Sequence, residues 1–248
     1  MAPLALEPLP GLPEIRPGDD LAALLAEAGA RLDPPLGARD VLAVAHKAVS
    51  KAEGRVRALA GVTPGERAVA LAAEHGKDPR HVQVVLDESA ELLRANRGRL
   101  ICRTHHGFIC ANAGVDQSNT GEPGVVVLLP EDPDGSARAL RARLDVGAVV
   151  ITDSWGRPWR QGQIEVAIGC AGVAPLTDWR GREDRDGRTM AASVIAIADE
   201  AAAAADLVRS KTSGEPAIRI RGLERHLGDR DGPGAAALIR PPADDLFR

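Results

Sequence analysis

The strongest constraint on the fold is a set of short apolar runs that each stop at a polar group. "VLAV" at residues 41–44 is followed by His46, Lys47, Ser50 and Lys51, and "GAVVIT" at 147–152 runs into Asp153 and Ser154. "GVVVLLP" at 124–130 and "PAIRIRGL" at 216–223 complete the series. Runs this short and this rich in β-branched residues are read as buried strands. Between them lie helical patterns: 21–30 behind "PGDD", two helices across "TPGERAVALAAEHGKDPRHVQVVLDESAELLRA" from Thr63, "DPDGSARALRARLD", and "AASVIAIADEAAAAADLVRSK". The N-terminus begins as a short extended segment, and alternation around Ile101 and Ile109 suggests a hairpin. "WGRPWRQGQ" reads as a loop between two strands, "EDRDGRTM" as a charged linker, and the tail as loop-like, suited to a flexible or dimer-facing role. Neither the dinucleotide glycine fingerprint nor a GxxxxGK[ST] phosphate loop occurs. The expected fold is therefore α/β with mixed sheets, α+β-like, without a P-loop or Rossmann motif, in two intertwined subdomains.

Composition narrows the function classes. The 248 residues can bury a sizeable core, but with 2% aromatics and no tyrosine that core must be built from Ala, Leu, Val and Ile. Aromatic stacking on single-stranded nucleic acid is disfavoured. The net charge of -4 is spread along the chain, so no nucleic-acid footprint is expected, although a local basic pocket for a phosphorylated ligand remains open. Cys102, Cys110 and Cys170 are odd in number and lack zinc-site spacing, which points to a reducing compartment. With no apolar run of about 18 residues and no leader pattern, a cytoplasmic protein away from membranes is expected.

Two polar clusters carry potential chemistry. Asp116 stands beside Gln117, Ser118 and Asn119, and Asp153 stands between Thr152 and Ser154. Carboxylates with neighbouring hydroxyls suit Mg²⁺ or Mn²⁺ shared with a substrate phosphate, and they equally suit loop and helix caps. His105 and His106, if on a strand, point to opposite faces and would not serve one ion together. Cys102 and Cys110 read as small buried hydrophobes. Basic candidates for phosphates are Lys51, Arg160 and Lys211, each also an ordinary surface charge. Arg157 and Arg160 draw notice because their loop carries two tryptophans, costly to leave exposed without a ligand or partner.

"GLPEIRPGDDL", "HKAVSKAEGR", "ICRTHHGFICANAGVDQSN", "LLPEDPDGSA", "ITDSWGRPWRQGQIEVAIGCAG" and "DWRGREDRDGRTM", in this order, resemble the coenzyme F420-0:gamma-glutamyl ligase family from about residue 12 to residue 223. The resemblance implies a ligase of unusual α/β fold, working as a homodimer. It implies that L-glutamate is joined to coenzyme F420-0 through an acyl phosphate, with later gamma-linked extension. GTP, Mn²⁺ or Mg²⁺, and K⁺ are the implied co-substrate and ions. Asp116, Asp153 and Lys51 then take catalytic roles, and Asp116, Asp153 and Ser154 bind metal, with Glu215 offered as a further ligand on chemical grounds. Leu12, Pro13, Glu14, Ile15, Lys51, Asn119, Lys211 and Thr212 fall in nucleotide-contacting segments, the last two within residues 209–216. Where the family often has Ser-Lys this chain has His46-Lys47, which leaves the role of His46 open.

Residues 1–223 form the expected ligase region and 224–248 a tail, without the C-terminal flavin reductase domain that some relatives carry. Two rivals are weighed against this reading. One is a ligase of the same fold acting on another carboxylate acceptor. The other is a non-catalytic nucleotide- or metal-binding protein, which retention of Asp116, Asp153 and Lys51 disfavours because buried charges are costly to keep without a use.

Overall fold

A computed structural model describes residues 3–212 and 214–245. Ser213 and residues 246–248 of the tail lie outside the described residues. In chain order the elements are β1 (Ala5–Pro8), α1 (Leu21–Ala30), β2 (Val41–Ala45), α2 (His46–Ala52), β3 (Val56–Ala58), α3 (Glu66–His75), α4 (Pro79–Asp87), β4 (Ser89–Asn96), β5 (Arg99–Thr104) and β6 (Ile109–Ala111). There follow β7 (Val125–Val127), α5 (Pro133–Arg143), β8 (Ala148–Arg157), β9 (Arg160–Ala171), β10 (Thr177–Asp178), β11 (Val194–Ile195), α6 (Ile197–Asp206) and β12 (Ala217–Arg221).

The apolar runs at 41–44, 147–152 and 216–223 meet in one sheet of order β1-β12-β2-β8-β9. Its central pair, β2 and β8, is parallel, and the other pairings are antiparallel. Strand alternation divides the core cleanly. Leu42, Val44, Val149 and Ile151 face α1, α2 and α5, whereas Val41, Ala43, Ala148 and Val150 face the alanine side of α6. Both faces are covered, which is why these strands read as continuous apolar runs. A further core joins α3, α4, β5 and the strand β7, through Ala68, Ala72, Val82, Val85, Leu100, Cys102 and Val126. Mixed α/β architecture without a Rossmann unit is thus the observed fold.

Several local expectations change. The second helix of the 63–95 stretch stops at Asp87, and "SAELLRAN" becomes β4, paired with β5 across two irregularities. Its residues favour helix, but edge pairing supplies backbone partners that an isolated turn lacks. Thr63 and Pro64 lie ahead of α3, whose first turn is met by the Gln83 side chain accepting the Gly65 N–H at 2.8 Å. The tryptophan loop is the end of a long hairpin: Arg157 pairs with Arg160 beyond a register shift, and Trp159 at the tip is exposed. Helix α6 is limited to Ile197–Asp206, with Val194–Ile195 as a short strand.

The described tail is anchored. Asp134 of α5 accepts the Cys170 N–H at 2.8 Å and the Ala235 N–H at 2.7 Å, tying the turn at Ala235–Leu238 to the sheet. Nearby, α5 crosses β9 so closely that a Cβ on Gly169 would stand 2.3 Å from the Pro133 carbonyl oxygen. Because the obstacle is backbone, Gly169→Ala should cost about 1–3 kcal/mol, read as a lowered denaturant midpoint. The three cysteines are free and buried. Burial pushes the thiols of Cys102 and Cys110 up, and that of Cys170 to about 12, so all three stay protonated at pH 8. Alkylation at that pH should label none of them in the native protein and all three after unfolding, as read by mass spectrometry.

Candidate functional site

Parallel pairing of β2 and β8 sets Ala45 beside Thr152 and brings the carboxyl ends of both strands to one edge. Ligands gather at such ends in open α/β sheets. Here the edge opens into a cleft of about 1200 Å³. Its walls are residues 13–15, the start of α2, the loop 117–124, the end of β8, and residues 209–212 and 214–216.

Helix α2 begins directly after β2, so His46, Lys47 and Lys51 emerge from its first two turns at the cleft. Lys47 Nζ lies 2.6 Å from Asp116 Oδ2 and donates to Ser118 Oγ at 2.8 Å. Asp116 is itself fixed by paired backbone bonds to Val127, each 2.9 Å, and accepts the Ser118 N–H at 2.8 Å. Burial works to raise its carboxyl, but the Lys47 ammonium and the Ser118 N–H outweigh it, so the group is held below the usual range. One turn on, Lys51 is almost buried and donates to Glu14 Oε1 at 2.5 Å.

Asp153 follows a bulge in the β8–β9 ladder between Ile151 and Thr152, a feature that re-aims side chains beside functional sites. Oδ2 accepts the Trp155 indole N–H at 2.8 Å and Oδ1 accepts the Ser154 N–H at 2.8 Å. The Nε2 of His46 stands 3.3 Å from Oδ1, a contact in ion-pair range without good hydrogen-bond alignment. Burial again works to raise this carboxyl, and the His46 imidazole with the two N–H donors brings it below the usual value. His46 is 2% exposed, so it is a buried neighbour of Asp153.

A third group lies within a quoted motif that did not single it out. Glu165 on β9 faces Ser154 across the ladder, is 4% exposed, and accepts the Ser154 hydroxyl. Its other oxygen accepts from Arg209 Nη1 at 3.2 Å, and Lys211 Nζ donates to Ser154 Oγ at 2.5 Å. "GQIEVAIGC" hides this glutamate because its polarity fits any solvent-facing strand position; only burial distinguishes it.

The cleft gathers Pro13, Glu14, Ile15, Lys51, Asp116, Asn119, Asp153, Ser154, Lys211, Thr212 and Glu215. Leu12 packs against the core instead. Arg157 and Arg160 stand away from the cleft lining, on the hairpin, where Arg157 donates to the Gln161 carbonyl at 2.6 Å. Trp155 packs edge-on against Phe108 with centroids 5.5 Å apart, so that tryptophan is satisfied within the chain. His105 and His106 occupy the turn after β5 rather than a strand, and their Nε2 atoms meet the carbonyls of Asp87 at 3.0 Å and Pro130 at 2.9 Å. Both serve the fold.

Asp116, Asp153, Ser154 and Glu215 supply hard oxygen donors to one cleft, which suits Mg²⁺ or Mn²⁺ in kind. The Lys47 ammonium on Asp116 shows that this carboxylate already draws a cation. Among the described residues no group of three or more His, Cys, Asp or Glu is gathered closely enough to hold a metal, so binding calls for side chains to converge. No helix among them is long and apolar enough to cross a membrane.

Comparison with known proteins gives the family. The profile of the family described as F420-0:Gamma-glutamyl ligase matches residues 11–222. A coenzyme F420:L-glutamate ligase of Methanopyrus kandleri is 47% identical, over 99% of this chain and 98% of the relative. Proteins of the same name from Methanothermobacter thermautotrophicus and Natronomonas pharaonis are 40% and 47% identical, each over 96% of this chain and over 96% and 92% of their own lengths.

With the Lys47 ammonium removed, burial is left as the leading influence on Asp116. In Lys47→Met the Asp116 carboxyl should therefore titrate at higher pH than in the wild type, followed by its carboxyl carbon resonance. An unchanged titration would assign the depression to the Ser118 contacts alone.

Proposed function

The chain belongs to the F420-0:gamma-glutamyl ligase family and is an enzyme that joins L-glutamate to coenzyme F420; we propose that it does so with GTP, through an acyl phosphate. In this reading the γ-phosphoryl group passes to the terminal carboxylate of F420-0, releasing GDP. The glutamate amine then attacks the acyl carbon, the carbon–oxygen bond to phosphate breaks, and the amine gives up its proton as the amide forms. Repetition extends a gamma-linked tail. The observation that carries the proposal is the meeting of Asp116, Asp153, Lys47 and Lys51 at one strand edge in a cleft large enough for a nucleotide and an acceptor.

Each residue has a physical task. Lys51, held by Glu14, and Lys47, held by Asp116, are ammonium groups on one helix face that can exchange carboxylate partners for phosphate oxygens. Asp116 and Asp153 stay ionised at neutral pH because their carboxyls are depressed. With Ser154 and Glu215 they are the oxygen groups that would hold Mn²⁺ or Mg²⁺. Such an ion, when bound, offsets charge on the transferring phosphoryl oxygens and orients them. Residues 13–15, Asn119, Lys211 and Thr212 are assigned to the nucleotide, and Asn119 Nδ2 bonds the Lys211 carbonyl across the cleft at 3.4 Å, linking two of its walls. K⁺ dependence, homodimeric assembly and a cytoplasmic setting complete the reading. The last accords with three unpaired cysteines.

Incubation with F420-0, L-glutamate, GTP, Mn²⁺ and K⁺ should yield products heavier by one or more glutamyl units, with none when ATP replaces GTP. Asp116→Asn should lower turnover by about a thousandfold or more, the scale of losing a transition-state charge contact. Nucleotide binding without any mass gain would move the assignment to another carboxylate acceptor. Full activity of Asp116→Asn would remove Asp116 from the chemistry.

A further inference from the structure

We propose that Glu165 is a positioning residue for this reaction, holding Arg209, Lys211 and Pro216 of the cleft wall and the Ser154 hydroxyl in place through Arg209 and Lys211. The proposal rests on the function proposed above. A carboxylate only 4% exposed must be compensated, and its oxygens are shared out between two tasks. Oε1 takes the Ser154 hydroxyl and stands 3.9 Å from Lys211 Nζ, while Oε2 takes Arg209 Nη1 at 3.2 Å.

Arg209 turns that local pairing into control of a segment. Its Nη1 also donates to Thr152 Oγ1 at 3.0 Å, and its Nη2 donates to the carbonyls of Ala43 at 3.5 Å and Pro216 at 3.3 Å. Residues 209 and 216 are the two ends of the loop, so one guanidinium fastens both ends to β2 and β8. Between them Lys211 reaches Ser154 Oγ, and its carbonyl receives Asn119. Glu165 is the carboxylate in ion-pair range of the Arg209 guanidinium among the described residues, and Arg209 Nε is buried without a hydrogen-bond partner. Removing the negative charge of Glu165 should loosen the loop and free Ser154, while the strands remain held by their own ladders.

The test compares wild type with Glu165→Gln and Glu165→Asp. Steady-state rates are measured with GTP varied, and hydrogen exchange is followed by mass spectrometry on the ligand-free proteins. Glu165→Gln should raise KM for GTP about tenfold while kcat at saturating GTP falls less than about threefold, the pattern of weakened binding. Exchange should accelerate in residues 207–216 and stay unchanged in 41–45 and 148–153. Glu165→Asp, which keeps the charge on a shorter stem, should recover part of the KM.

Wild-type KM and exchange in Glu165→Gln, or a fall in kcat with a protected loop, would overturn the proposal. If Glu165→Gln does not fold, the double variant Glu165→Met with Arg209→Met removes both buried charges and should show the same rise in KM; a wild-type KM there also overturns it. Should the wild-type protein fail to turn over F420-0, the proposed function fails on its own. The Glu165 assignment is then decided by the dissociation constant for GTP alone and by the same exchange measurement.

Discussion

Parallel pairing between β2 and β8 is the constraint on which the rest depends. Parallel neighbours end at the same edge, so the groups that follow Ala45 and those that follow Thr152 are delivered side by side although more than a hundred residues separate them. An antiparallel arrangement would send the lysines of α2 and the carboxylate of Asp153 to opposite ends of the sheet. The pairing is stable because both faces are buried, with α1, α2 and α5 on one side and α6 on the other. Strand β12 completes the support from its antiparallel side, and its first residues hold the end of the loop 209–216 near the same edge.

Within that frame, charge is arranged in compensated pairs. Lys47 with Asp116, Lys51 with Glu14, His46 beside Asp153, and Arg209 with Glu165 each set a basic group against a carboxylate, shielded in the last two pairs and more open in the first two. A buried ion pair contributes little net stability, since desolvation offsets most of the attraction. Its value here is geometric: the basic groups and carboxylates hold one another in place at the cleft.

Small side chains set the scale of this packing. With few aromatics, the helices approach the sheet through alanine and glycine, as at Gly169 under α5 and along Ala198, Ala201, Ala202 and Ala205 of α6. Close approach fixes the strand ends firmly, and the few aromatics present have local tasks. Phe108 and Trp155 meet beside Asp153, where the indole N–H is one of the carboxylate's donors.

The sequence by itself determined the buried strands, since β-branched runs stopping at polar groups have few other uses, and it singled out Asp116, Asp153 and Lys51 because charged groups at such stops stand out. It also carried enough ordered motif to indicate the family. Tertiary structure decided what local pattern leaves ambiguous. Residues 89–96 favour helix by propensity yet form β4, because pairing with β5 outweighs a preference of tenths of a kilocalorie per residue. The anchoring of the tail by Asp134 likewise arises from contact between distant segments. Sequence noted His46 but left its role open, and it gave Glu165 no role within its motif, because a histidine or glutamate is read as exposed until its surroundings are known. Burial and partnership are properties of the packed chain, and they made these two residues part of the site.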